Sequence, residues 1–223
     1  MDKKQIDKSI GLIQGYYKFL YLGLFLENII KENDISQFAK DINIKTGTKT
    51  SFKLNEKTIQ KLLKEIYNNP DKQNIFGYFT ELTMFRGISS TMKELLDNNN
   101  EFKYFIKERL GNNYFHFDQI IRFIRNVLSH NIDTNILIKT EDYESQKIYL
   151  LYNQGPLINF DFKYKKSFDK YRKGNKDYGL KIKINFKKLS HNDKFFNIIS
   201  IHDLFMISEL CYNMIEIYKY EYK

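Results

Sequence analysis

The sequence has a single cysteine, Cys211, and only two prolines and ten glycines in 223 residues. One cysteine cannot form an intramolecular disulfide or a multi-cysteine metal site, and such low usage is typical of a reducing compartment. The scarcity of proline and glycine excludes collagen-like and linker-rich chains. The longest apolar run near the N-terminus, residues 19–26, is too short to span a bilayer, and no signal-peptide cleavage site follows it. We therefore expect a cytoplasmic protein that does not enter membranes.

Hydrophobic residues make up 42% of the chain and aromatic residues 16%. This is enough for a substantial buried core, so a wholly disordered chain is excluded. The length favours a single domain over residues 1–223.

Helical periodicity dominates both ends of the chain. Apolar spacings of three to five predict helices over about 3–32, 56–68, 74–97 and 101–131, the last interrupted near 111–113. Ser200 and Asp203 form a capping-box pattern that starts a terminal helix. Before it, four short β-like segments predict an antiparallel insertion over about 136–188: ILIKT, KIYLLY, LINFDFKY and LKIKINF. The predicted fold is mainly α, a bundle of about five helices with a small β insertion before the last helix.

One segment carries the net charge of +9. Residues 163–188 contain eleven basic residues and two acids, whereas the rest of the chain is balanced. Basic side chains neutralise phosphates, and the interleaved aromatic rings can stack on bases. The alternative is a solvated loop that keeps the protein soluble. On the first interpretation, the RNA-binding candidates in this segment are Lys165, Lys166, Arg172 and Lys173.

The predicted helix over 117–130 has an apolar arc and an opposite polar arc. The apolar arc comprises Phe117, Ile120, Ile121, Phe123, Ile124, Val127 and Leu128. The polar arc comprises Arg122, Arg125, Asn126, Ser129 and His130. The chain has only five arginines, so two of them on one turn beside a histidine contrast with the lysine background. Because Asn126 precedes His130 by four residues, its amide could orient the ring.

These side chains suit cleavage of RNA without a metal. A guanidinium binds phosphate bidentately and can stabilise the charge of a phosphorane, so an arginine of this face could take that role, and Arg122 is a candidate RNA-binding residue. An imidazole can transfer protons to and from the attacking 2′-hydroxyl and the leaving 5′-oxygen, which is the role of His130. The pattern predicts catalysis or RNA binding through this face, the alternative being a polar helix face with a solvated histidine.

The segment RNVLSH, from Arg125 to His130, resembles the Arg-Asn-x-x-x-His motif of HEPN-domain proteins. This all-helical family is rich in prokaryotic ribonucleases and defence toxins. The resemblance covers the helical portions, about 1–131 and 198–222. It implies a HEPN-like bundle and a homodimer whose two motifs form one shared, metal-independent endoribonuclease site. It also implies catalytic roles for Arg125 and His130, support from Asn126, and an antiviral effector or toxin with a possible antitoxin or regulatory partner.

The sequence departs from one subgroup of that family. Toxins paired with nucleotidyltransferase antitoxins often carry a tyrosine shortly after the motif histidine, whereas Asn131, Ile132 and Asp133 follow here. Silencing by modification of such a tyrosine is therefore not expected. The resemblance implies no function for the β insertion.

Two other functions stay open. A non-catalytic HEPN-like module could bind RNA or a nucleotide through the same helix face. Alternatively, the protein could be an interaction module in which Arg122 and Arg125 pair with acids of a partner protein.

Other reactive residues favour structural interpretations. His116 and Asp118 lie two residues apart and point to different faces of a helix, which favours a surface pair over a metal site. Cys211 lies in an apolar stripe and is expected to be a core thiol. The acids Glu141, Asp142 and Glu144 are expected to form a solvated turn. No phosphate-binding glycine loop or dinucleotide motif occurs, so no cofactor and no metal are expected.

Overall fold

The computed structural model describes residues 3–32, 40–45, 51–67, 70–130, 136–153, 155–164 and 178–221. Over these residues the protein is mainly helical, as predicted. The elements are α1 (Lys3–Glu32), β1 (Ile42–Lys45), β2 (Ser51–Leu54), α2 (Glu56–Tyr67), α3 (Pro70–Asn98), α4 (Asn100–Leu110), α5 (Tyr114–His130), α6 (Thr140–Asn153), β3 (Leu157–Tyr164), β4 (Tyr178–Asn185) and α7 (Ile201–Glu221).

The chain divides into two compact units. One unit comprises residues 1–17 and 84–223, and the other comprises residues 18–83. In the second unit, β1 and β2 form a two-stranded antiparallel hairpin. Of the predicted site residues, those on the polar arc of the helix over 117–130 are described, and they all belong to the first unit. A single domain over 1–223 stays a prediction.

The break predicted near 111–113 is confirmed, and two local signals define it. The side chain of Asn99 accepts a hydrogen bond of 2.8 Å from the backbone N–H of Phe102, which caps the start of α4. Gly111 ends α4 with a positive φ of 54°, a conformation that glycine adopts without steric cost. A 3₁₀ turn over Gly111–Asn113 then leads directly into α5.

Helix α5 lies with its apolar arc in the core, as the periodicity predicts. All seven predicted apolar side chains are at most 3% exposed: Phe117, Ile120, Ile121, Phe123, Ile124, Val127 and Leu128. Aromatic contacts join this face to later parts of the chain, since the Phe117 ring lies 6.2 Å from that of Phe160 on β3. The opposite arc is thereby left facing outwards.

The predicted β insertion over 136–188 is only partly correct. Strands β3 and β4 form an antiparallel hairpin, with Leu157 opposite Asn185. However, KIYLLY belongs to helix α6, and ILIKT forms only an isolated bridge, between Leu137 and Lys194. The buried side chains Tyr143, Gln146 and Leu150 recur at helical spacing, whereas the exposed Ile148, Leu151 and Tyr152 gave the segment its β-like appearance.

The terminal helix α7 begins with the predicted capping box. Ser200 Oγ accepts a hydrogen bond from the backbone N–H of Asp203, and Asp203 Oδ2 accepts one from the backbone N–H of Ser200, at 3.1 and 3.2 Å. Cys211 is fully buried within α7, and burial raises the pKa of its thiol. The prediction of a core thiol is therefore confirmed.

Candidate active site at the end of helix α5

The polar arc of α5 is accessible and not sealed in the core. Arg122, Arg125, Asn126 and Ser129 are partly exposed, and the side chain of His130 is 47% exposed. His130 is the last residue of α5, so its ring projects from the end of the helix. The helix therefore presents both a guanidinium and an imidazole to solvent, as its periodicity predicts.

A chain of hydrogen bonds links these groups. Arg125 donates to Asn126 Oδ1 from Nη2 at 2.9 Å and from Nε at 3.3 Å. The amide nitrogen of Asn126 donates to the backbone carbonyl of Asp142 at 3.4 Å. The carboxylate of Asp142 then meets His130, with Oδ1 at 2.7 Å from Nδ1. Arg125, Asn126, Asp142 and His130 thus form one connected group, which we call the polar relay.

Asp142 was expected to lie in a solvated turn, and this expectation is wrong. Asp142 is fully buried in the first turn of α6. Its second oxygen, Oδ2, accepts a hydrogen bond of 2.8 Å from the backbone N–H of Lys139. That contact is the half of a capping box in which an acid binds back to the residue preceding the helix. Lys139 is not the Ser or Thr that marks a capping box in a sequence, so no local pattern indicates this role.

The orienting role predicted for Asn126 is also corrected. The ring of His130 is held by Asp142, while the amide of Asn126 lies between Arg125 and the Asp142 backbone. Asn126 therefore supports the guanidinium directly and the imidazole only through Asp142.

The position of Asp142 depends on backbone pairing between two segments that are far apart in the sequence. The segment 136–138, just before α6, pairs with residues 192–195 through three backbone hydrogen bonds of 2.9 Å each. Phe195 in that partner segment packs against Phe123 of α5, with ring centroids 5.9 Å apart. In addition, Gln146 of α6 donates to the backbone carbonyl of Gln119 on α5 at 2.7 Å. These contacts fix the start of α6 against the end of α5.

Arg122 lies one turn before Arg125 in a different charge environment. Its nearest acid is Asp118, whose Oδ2 is 4.0 Å from Nη2 of Arg122, a weak ion pair. Asp118 is bound more closely by Lys93, which is buried and pairs with it at 2.8 Å and with Asp97 at 2.5 Å. Because the contact with Asp118 is this long, the guanidinium of Arg122 keeps donors for an anion.

The other histidines lie outside the polar relay. His116 Nδ1 accepts a hydrogen bond of 3.4 Å from the backbone N–H of Asn159, and desolvation lowers the pKa of its ring. Asp118 points instead to Lys93, so His116 and Asp118 do not act as a pair. His191 Nδ1 lies 3.3 Å from the hydroxyl of Thr140. Within the described part of the chain, no three potential ligand side chains cluster in a way that could hold a metal ion.

The predicted RNA-binding residues of the basic segment cannot be placed. Lys165, Lys166, Arg172 and Lys173 lie outside the described residues. Of the positions that the structure does describe, no helix combines the length and hydrophobicity needed to cross a bilayer.

No family model matches the chain, no curated protein sequence matches it, and no solved structure matches its fold. The resemblance to HEPN-domain proteins therefore depends on the motif between Arg125 and His130 and on the helix that presents it.

Proposed function

We propose that the protein is a metal-independent endoribonuclease of the HEPN type, acting as an antiviral effector or toxin. The observation that carries this proposal is the polar relay, which joins the guanidinium of Arg125 and the exposed imidazole of His130 through only two intervening residues. Both reactive groups face solvent, where a phosphodiester can reach them.

The chemistry requires only the groups on this face. His130 accepts the proton of the RNA 2′-hydroxyl as that oxygen attacks the adjacent phosphorus. The leaving 5′-oxygen takes a proton from the imidazolium form of His130. Arg125 stabilises the negative charge that develops on the phosphorane oxygens. The products are a 2′,3′-cyclic phosphate and a free 5′-hydroxyl. Asn126 keeps the guanidinium in place, and Arg122 contacts a neighbouring phosphate.

We further propose that two copies form a homodimer and share one site, as the resemblance implies. Helix α6 supports the homodimer because its second half carries an exposed apolar strip. In that strip Ile148 is 66% exposed, Leu151 57% and Tyr152 91%. We assign this strip to a second copy of the chain, since the resemblance implies a homodimer. The strip lies beside the start of α5, where the ring of Tyr149 stacks on that of Phe115 with centroids 5.6 Å apart.

Cleavage of RNA in the presence of a chelator tests the proposal. Wild-type protein is incubated with single-stranded RNA in EDTA, and the termini of the fragments are identified. We expect 2′,3′-cyclic phosphate ends, with cleavage lost in His130→Ala and retained in His202→Ala, a matched change at an exposed position on α7. No cleavage by the wild type, or equal cleavage by His130→Ala, would overturn the enzymatic function. Salt-sensitive RNA binding without cleavage would instead favour a non-catalytic binding module.

A further inference from the structure

The carboxylate of Asp142 is the most deeply buried member of the polar relay. Asp142 has no exposed surface, whereas the side chain of its partner His130 is 47% exposed. Burying a carboxylate is costly unless its oxygens are bonded, and here both are. Oδ2 accepts from the backbone of Lys139 and Oδ1 faces His130 Nδ1. The carboxylate is therefore fixed by the backbone on one side and directed at the imidazole on the other.

We propose that Asp142 is a positioning residue for His130 in the cleavage of RNA. It holds the neutral ring in the tautomer with the proton on Nδ1, so that Nε2 is the nitrogen that exchanges a proton with the substrate. This inference rests on the proposed ribonuclease function and deepens it, because it names the reacting atom and the group that selects it. Asp142 itself does not contact the RNA.

The geometry supports this role in two ways. A carboxylate can only accept a hydrogen bond, so a contact of 2.7 Å to Nδ1 requires the proton to be on Nδ1. The surroundings also keep the carboxylate from turning away, because Oδ2 accepts a hydrogen bond of 2.8 Å from the backbone N–H of Lys139. The residue is thus held within the first turn of α6, and the ring that it faces is at the solvent boundary.

The rival interpretation is that Asp142 serves only to cap α6, through its contact with Lys139. The variant Asp142→Asn separates the two roles because the amide has nearly the same shape. Its oxygen can still accept from the backbone of Lys139, so the cap is retained. Its nitrogen can only donate towards His130 Nδ1, which inverts the tautomer and places the proton on Nε2.

Two measurements test the proposal, and the first needs no RNA. Nitrogen-15 NMR of the imidazole at alkaline pH should show the Nδ1–H tautomer of His130 in the wild type and the Nε2–H tautomer in Asp142→Asn. The matched control is Glu144→Gln, which removes one negative charge from an exposed position of the same helix and should leave the spectrum unchanged. An Nε2–H tautomer in the wild type would overturn the proposal without any variant.

The second measurement is kinetic. In Asp142→Asn we expect kcat for RNA cleavage to fall by about 100-fold, a loss in the range that general acid–base catalysis supplies, with KM unchanged. Wild-type kcat in a folded Asp142→Asn protein would contradict the proposal. If the wild type does not cleave RNA, the proposed function fails, and the NMR result still decides whether Asp142 sets the tautomer.

Discussion

The Nδ1 atom of His130 lies 2.7 Å from Oδ1 of Asp142, across the gap between the last residue of α5 and the first turn of α6. The two ends have complementary electrostatics, because backbone dipoles place partial negative charge at the end of α5 and partial positive charge at the start of α6. Lys139 adds to this arrangement by donating from Nζ to the backbone carbonyl of His130 at 3.4 Å. The motif histidine is thus anchored by a segment outside the motif.

The first prediction concerns the shape of the cation at position 125. Arg125→Lys keeps the positive charge but loses the planar guanidinium, which donates to Asn126 and can hold two phosphate oxygens. We expect kcat for RNA cleavage to fall by about 100-fold. RNA binding at low salt should change little, because the charge is retained. Arg86→Lys, at an exposed position of α3, is the control, and cleavage by Arg125→Lys at the wild-type rate would count against a guanidinium in the reaction.

A second prediction concerns the exposed apolar strip on α6. The double variant Ile148→Lys, Leu151→Lys places two charges where two copies are proposed to meet, and we expect it to be monomeric and inactive in RNA cleavage. Light scattering coupled to size-exclusion chromatography gives the mass. Tyr220→Lys is the control, because Tyr220 is 91% exposed on α7. A wild type that is monomeric would refute the homodimer, and a double variant that is still dimeric would refute this interface.

The buried ammonium of Lys93 provides a third prediction, on stability. Its side chain is 3% exposed and pairs with Asp97 and with Asp118, the latter only 15% exposed. Lys93→Met leaves that carboxylate without its main partner, so we expect the free energy of unfolding to fall by about 3 kcal/mol. Denaturant unfolding measures this change, with the exposed Lys188→Met as control. Equal stability of the two variants would show that the pair contributes little.

The lowered pKa of His116 provides a fourth prediction, on pH dependence. Desolvation lowers the pKa of this ring in the folded protein below its ordinary value of 6.5. As the pH falls below about 6.5, the unfolded chain therefore binds a proton that the folded protein does not, and the free energy of unfolding decreases. His116→Gln should reduce this loss between pH 7.5 and 5.5. A pH profile of His116→Gln parallel to that of the wild type would contradict the assignment.

Much of the fold and half of the site could be predicted from local patterns. The apolar and polar arcs of α5 follow from side-chain spacing alone, and the structure buries the one and exposes the other. The capping box of Ser200 and Asp203 is equally local. Predictions of such features succeed because each depends on neighbouring residues that are at most one helical turn apart.

The other half of the site depends on contacts that sequence spacing does not show. Asp142 lies among other acids, and a run of acids is usually solvated, so its burial could not be inferred from composition. Its location depends on residues 136–138 pairing with 192–195, more than fifty positions later. The strand predicted for KIYLLY is wrong for a related reason, because Ile148, Leu151 and Tyr152 are apolar but exposed on helix α6.

The pairing of residues 136–138 with 192–195 has a consequence for biosynthesis. A ribosome completes Arg125 and His130 well before it adds Phe195, whose ring packs on Phe123 and whose N–H binds the carbonyl of Ile136. A nascent or prematurely terminated chain therefore contains the motif but lacks the support that sets the carboxylate beside the imidazole. For the proposed ribonuclease, this order of synthesis means that the site cannot be complete before residues 192–195 have been made.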